Sequence, residues 1–419
     1  MHPFFNKQRF GEPQFVAGLL LLIFLAQCAW LIRSDLRTGQ ISSAERWVID
    51  RGLQQWHGNV NQSSLSVAAD ARFTGFEDST EIPAPDPHGL ASVWDPNHSA
   101  LYYLVATAPL LLWPRPLAAD SVVVWGWLAR ATGLIFGLCL GASLWYVARR
   151  LYGNAGGYVA LVLFCFSPGL IRASAGWLVP PETGAAWGAF GAIFTGIAVA
   201  HTLYAPREVI LWNWRRILLL GVALAMAIGS QFSLAALIPL VLAFLLYLAP
   251  TRRKAALAIW AAACAIAVLL LFSSYYFHPL AFWHGLRHAD FLALTGSAFA
   301  MPGVYRELFR KILESCPALA VLLPITLIVF AAWRRARYFG NSAPLLLSAF
   351  FLAMGLATPH YPGLGFRLIA VPFLVLFVSG MLADVLETRY RPLILPATAG
   401  LLASYALWSL LELARIRIA

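Results

Sequence analysis

A few ionisable side chains stand at the edges of long apolar runs, where they could do chemistry. The string Ser42-Ser43-Ala44-Glu45-Arg46-Trp47-Val48-Ile49-Asp50-Arg51-Gly52-Leu53 sets serine before an apolar-periodic stretch, with Glu45 in the first turn and Gly52 near the end. That pattern describes a short amphipathic helix. Glu45 can cap such a helix or face a cavity as a proton acceptor, and Trp47, Ile49 and Trp56 suit a membrane interface. Further on, Trp94-Asp95-Pro96-Asn97-His98-Ser99-Ala100-Leu101-Tyr102-Tyr103 brings a carboxylate and an imidazole together just before an aromatic, apolar segment. The pair suits acid–base work or contact with phosphate oxygens; the same Asp-Pro-x-His order also makes a simple turn.

The elements that must position these groups are membrane helices. Of the 419 residues 60% are hydrophobic and 12% charged, and the mean hydropathy is +0.71. Soluble domains carry about 25% charged residues, so an ordinary globular enzyme and a disordered chain are both excluded. Thirty basic residues against 19 acidic ones give a net charge of +11, but they sit in short clusters between apolar runs. Such clusters orient membrane segments and do not suit nucleic acid. The five cysteines lie in or beside apolar segments with no C-x-x-C spacing, which supports neither a disulfide framework nor a zinc site.

Runs long enough to span are expected at 14–33, 121–147, 155–172, 184–204, 255–273, 316–333, 342–358, 366–385 and 393–412. The stretch 217–249, broken by Gly229, Ser230 and Gln231, reads as a tight helical pair. The total is about 11 transmembrane helices in an all-α polytopic protein, the first of them an uncleaved helix and not a signal peptide. Residues 100–117 are apolar but carry Pro109, Pro114 and Pro116. Reading them as interfacial or re-entrant, with a cytoplasmic N-terminus, places the clusters at Arg149-Arg150, Arg252-Arg253-Lys254, Arg334-Arg335 and Arg389/Arg391 inside, as the positive-inside rule requires. The loops 34–120 and 274–315 then open on the other face, and 34–100 holds nine of the 19 acids. Arg306, Arg310 and Lys311 are the exception, fit for an anionic headgroup or for a merely solvated helix face.

Downstream come Arg130 inside an apolar run, Tyr146-Val147-Ala148-Arg149-Arg150-Leu151-Tyr152-Gly153, Phe166-Ser167-Pro168-Gly169-Leu170-Ile171-Arg172 and Val179-Pro180-Pro181-Glu182-Thr183-Gly184. In order and spacing these segments resemble the GT-C membrane glycosyltransferases, nearest the bacterial branch that includes relatives of protein mannosyltransferases and lipid A aminoarabinose transferase. Thr358-Pro359-His360-Tyr361-Pro362-Gly363-Leu364-Gly365-Phe366-Arg367 resembles that family's late loop. The resemblance covers most of 14–385; it implies that residues 1–385 are the catalytic module, with 386–419 as a C-terminal helix and tail. Two departures stand out. Ala44-Glu45 replaces the family's Asp-Glu pair, and Asn97-His98-Ser99-Ala100 replaces its His-Pro-Pro.

The resemblance implies an inverting transfer of a sugar from a polyprenyl-phosphate donor to a lipid, glycan or protein acceptor at the outer face of a bacterial inner membrane. One carboxylate deprotonates the acceptor, cations stabilise the departing phosphate, and an apolar groove holds the polyprenyl tail. Glu45 is the first candidate base, with Asp95 and Asp50 behind it. Arg172, Arg367, His98 and His360 are the candidates for the donor phosphate; for each arginine, snorkelling to headgroups is the alternative. Glu182, Tyr102 and Tyr361 are candidate positioning residues. No cofactor, metal or nucleic-acid partner is called for, and membrane lipids are the natural surroundings. Two other functions fit the composition. A lipid-sugar flippase would place its charges at mid-membrane, whereas these sit almost wholly at span ends; a catalytically silent relative would account for Ala44.

Overall fold

The computed structural model describes residues 12–37, 41, 43–58, 73–74, 95–176, 182–204, 214–289, 297–301, 303–357 and 364–415. In chain order the elements are α1 (Glu12–Leu36), α2 (Ser43–Trp56), β1 (Phe73–Thr74), α3 (Ala100–Thr107), β2 (Leu117–Ala118), α4 (Val122–Cys165), α5 (Pro168–Ala175) and α6 (Glu182–Thr202). They continue as α7 (Trp214–Ser230), α8 (Leu237–Leu248), α9 (Arg253–Ser273), α10 (Pro279–Arg287), α11 (Val304–Ser315), α12 (Leu319–Ala332), α13 (Phe339–Ala357), α14 (Leu364–Leu386) and α15 (Arg391–Arg415).

Local chemistry sets most of the boundaries. α3 tightens into a 3₁₀ turn at Ala108–Leu112, where Pro109 can donate no helical hydrogen bond. α5 starts on Pro168, a residue already set for the first helical position. α4 is two helices meeting at Gly153, whose φ of 71° and ψ of −171° break the run. Between α7 and α8, Gln231 is extended and residues Phe232–Ala236 form a 3₁₀ turn; this is the break expected from Gly229, Ser230 and Gln231.

Among the described residues seven helices are long and apolar enough to cross a membrane, or eight if α11 and α12, bent by 111°, form one span. The sequence-based figure of about 11 is larger because it counts α7 and α8, of 17 and 12 residues, as spans and divides α4. Ala100–Leu112 belongs to the shorter apolar helices, below the length that crosses.

The chain divides into two compact units, residues 1–34, 134–176 and 295–419 in one, residues 35–133 and 177–294 in the other. In the first, α14 is almost wholly buried. Phe351 of α13 stacks on its Phe373 at 5.3 Å, and Phe330 of α12 meets its Phe377 edge-on at 5.6 Å. α1 docks on the end of α4, with Phe24 at 5.2 Å from Phe164 and Gln27 Nε2 donating to the Cys165 carbonyl at 3.0 Å. On α11, Arg310 pairs with Glu307 and Glu314, and Lys311 with Glu307. In the second unit β1 pairs in parallel with β2, Phe73 opposite Leu117 and Thr74 opposite Ala118.

Candidate active site

The site is built in the second unit from α2, α3 and the turn ahead of α3. α2 does not stop at Gly52 as its composition suggests; it runs to Trp56. Gly52 is instead where α2 lies against α3, since a Cβ there would strike the Thr107 side chain and come within 2.8 Å of the Tyr103 carbonyl. That closeness lets Trp47 meet Tyr103 edge-on at 5.9 Å and sets the Arg51 guanidinium 4.8 Å from the Tyr103 ring centre and 5.2 Å from that of Trp47, both cation–π distances. Ile49, expected at a membrane interface, is fully buried. Trp56 is partly exposed and donates to the Leu104 carbonyl at 3.0 Å.

The turn Asp95–Ser99 is held by the break between α7 and α8. The Ser99 amide donates to the Gly229 carbonyl at 3.0 Å, His98 Nδ1 to the Ser230 carbonyl at 2.7 Å, and the Phe232 amide to the Asn97 carbonyl at 2.9 Å. A carbonyl can only accept, so His98 Nδ1 carries a proton in this contact. Asp95 Oδ1 receives the Asn97 amide at 2.8 Å, and Oδ2 receives the Tyr103 hydroxyl.

These groups share a pocket of about 260 Å³ lined by Arg51, Gln55, Asp95, His98, Tyr103 and Tyr275, with Ala100 and Gly285. Burial, the Asp95 charge and their hydrogen bond push the Tyr103 phenol well above its ordinary range, and burial pushes Tyr275 up to about 12. Both phenols therefore stay donors at neutral pH. Gln55 Nε2 donates to the Ser274 carbonyl at 3.1 Å. Just past Tyr275 the backbone turns left-handed at Tyr276 and Phe277, with φ of 52° and 59°. Non-glycine residues hold that conformation only where the surroundings over-determine it, often beside functional sites.

Glu45 does not line this pocket. It is buried, with Oε1 3.7 Å from Arg130 Nε, and Arg130 in turn grips Asp35 at 2.6 Å. Burial pushes the Glu45 carboxyl up to about 7 against the opposing pull of Arg130, with Asp35 adding to the rise. Asp50 is buried and accepts from Gln54 Nε2 at 2.6 Å. Tyr102 is buried with its ring 5.0 Å from His98; its neighbour Tyr103 faces the pocket. Arg172 is exposed in the first unit, in a groove of about 300 Å³ with Ser409 and Glu412. His360 and Tyr361 lie outside the described residues, as do the side chains of Arg367 and Glu182.

Sequence reasoning gave no role to Arg51, Tyr103, Tyr275, Asp35 or Arg130. A signal existed for Arg130, because an arginine inside an apolar run needs an acidic partner. Nothing in the sequence pairs Tyr275 with Asp95. Among the described residues no three His, Cys, Asp or Glu side chains gather to hold a metal.

No family model matches the chain, and no curated protein does. Solved structures do. ArnT from Cupriavidus metallidurans in the apo state is similar with a TM-score of 0.56 and 13% identity, over 91% of this chain and 63% of that one. The archaeal oligosaccharyltransferase AglB from Archaeoglobus fulgidus, in complex with an inhibitory peptide and a dolichol-phosphate, has a TM-score of 0.49 and 12% identity, over 76% and 48%. The chain thus spans less than two thirds of the length of either structure. On its likeness to ArnT, the chain shares that protein's helical membrane fold.

Proposed function

We propose that the protein is an inverting glycosyltransferase that moves a sugar from a polyprenyl-phosphate donor to a lipid, glycan or protein acceptor on the outer face of a bacterial inner membrane. The observation that carries this reading is the meeting of Asp95 and Arg51 in one pocket on a fold shared with ArnT. Asp95 takes the proton from the acceptor hydroxyl or amine as that atom bonds to the anomeric carbon. The bond from that carbon to the phosphate oxygen breaks, and the lipid phosphate leaves as an anion. Arg51 stabilises its charge, and Tyr103 holds the Asp95 carboxylate in place. Glu45, closed in with Arg130 and Asp35, anchors α2 in this scheme. Arg172, Arg367 and His360 rest on the family resemblance for a part in donor binding.

Purified protein incubated with polyprenyl-phosphate sugars should release the free carrier and glycosylate an acceptor. Transport of the donor without transfer would point to a flippase. Donor binding with neither would point to a silent relative, a reading favoured by Ala44 and by the engagement of both Asp95 oxygens within its own turn and with Tyr103.

A further inference from the structure

We infer that α10 is a recognition surface for anionic phospholipid headgroups. α9 is long and apolar enough to cross a membrane, and α10 begins six residues after it ends. The left-handed residues Tyr276 and Phe277 make the turn between the two. With nine residues α10 cannot itself cross, so it follows a span at the level where headgroups begin.

Its two faces differ in kind. Ala281 and Gly285, four residues apart, are buried inward. Ala281 packs in a cluster with Ala100 and Tyr275, and Gly285 sits against the Tyr275 hydroxyl. Outward, Phe277, Leu280 and Trp283 are 56%, 76% and 62% exposed, with His284, Arg287 and His288 exposed beside them. An apolar and aromatic strip flanked by cations and imidazole donors fits the boundary between acyl chains and anionic headgroups. The basic residues of α11 are different, being tied to acids on their own helix, whereas no acid pairs with Arg287 among the described residues. The charge of this face therefore selects an anionic lipid surface over a neutral one. The inference is independent of the proposed transfer reaction.

The test uses the full-length protein in lipid nanodiscs of phosphatidylcholine, with and without phosphatidylglycerol, and reads backbone hydrogen exchange over residues 276–289. Exchange should be about five-fold slower with phosphatidylglycerol, the effect of one basic side chain at an anionic surface, and should recover at high salt. Arg287→Gln should erase the difference and Arg287→Lys should keep it, with unchanged exchange in α6 and α7 reporting an intact fold. Equal exchange in both discs would overturn the inference, as would protection that survives Arg287→Gln. Protection by polyprenyl phosphate but not by phosphatidylglycerol would also overturn it, assigning α10 to the donor.

Discussion

Arg130 reaches from an apolar helix to hold Asp35 at 2.6 Å, with Glu45 at 3.7 Å. Buried guanidinium charge is tolerated only when paired, and removing one partner of such a pair costs about 3–5 kcal/mol. Arg130→Ala should therefore lower thermal stability in detergent by that order. Arg130→Met combined with Asp35→Asn and Glu45→Gln should recover most of the loss. A triple variant no more stable than Arg130→Ala would show that the cost is lost packing and not stranded charge.

Glu45 adds a pH dependence of its own. Its folded value of about 7 lies above the ordinary 4.5, so between those values the folded protein binds more protons than the unfolded chain. Stability should rise as pH falls from about 7 towards 4.5, by roughly 2–4 kcal/mol from this group, and the penalty should be complete above 7. Glu45→Gln should flatten that part of the stability profile. An unchanged slope in Glu45→Gln would assign the effect elsewhere.

For the proposed reaction, Asp95→Asn keeps the acceptor for the Asn97 amide but cannot take up a proton. Transfer should fall about 10²–10⁴-fold with donor binding near normal. Tyr103→Phe frees Asp95 from its phenol and should shift the pH dependence of transfer while keeping measurable turnover. Near-normal turnover in Asp95→Asn would remove Asp95 from catalysis.

Gly52→Ala should destabilise by about 1–3 kcal/mol, the usual result of forcing a methyl into a packed contact, since the new carbon would press on Thr107 and on the Tyr103 backbone. Circular dichroism melts would read it. A neutral result would mean that α2 and α3 separate freely.

Cysteines introduced within 60–90 should react with impermeant maleimide from outside the cell, and those beside Arg150, Arg253 or Arg335 should not. Outside labelling near Arg253 would reverse the reading of 100–117 as non-crossing.

Much of the fold was open to reading because apolar length and proline interruption act locally. Pro109 and the Gly229-Ser230-Gln231 break both act on their own segments, and both were legible. The use of the break was not, because the carbonyls it frees bind His98 and Ser99 from more than 100 residues away. The site was half legible for the same reason. Asp95 and His98 announce themselves through their turn. Arg51 becomes a pocket residue only because Gly52 lets α2 settle on α3, and a glycine in sequence reads first as a stop. Tyr102 and Tyr103 are equivalent in composition; only the helix phase tells which one reaches Asp95.

The joint at Gly153 leaves α4 no spare chain between its two segments. A loop would absorb an extra residue, but one inserted in the helical run that follows Gly153 turns everything beyond it by about 100°. One residue gained near Gly153 would swing Phe164 and Cys165 away from Phe24 and Gln27. Natural length variation and engineered tags should accordingly be poorly tolerated here, as between α7 and α8, where the break clamps the Asp95–Ser99 turn.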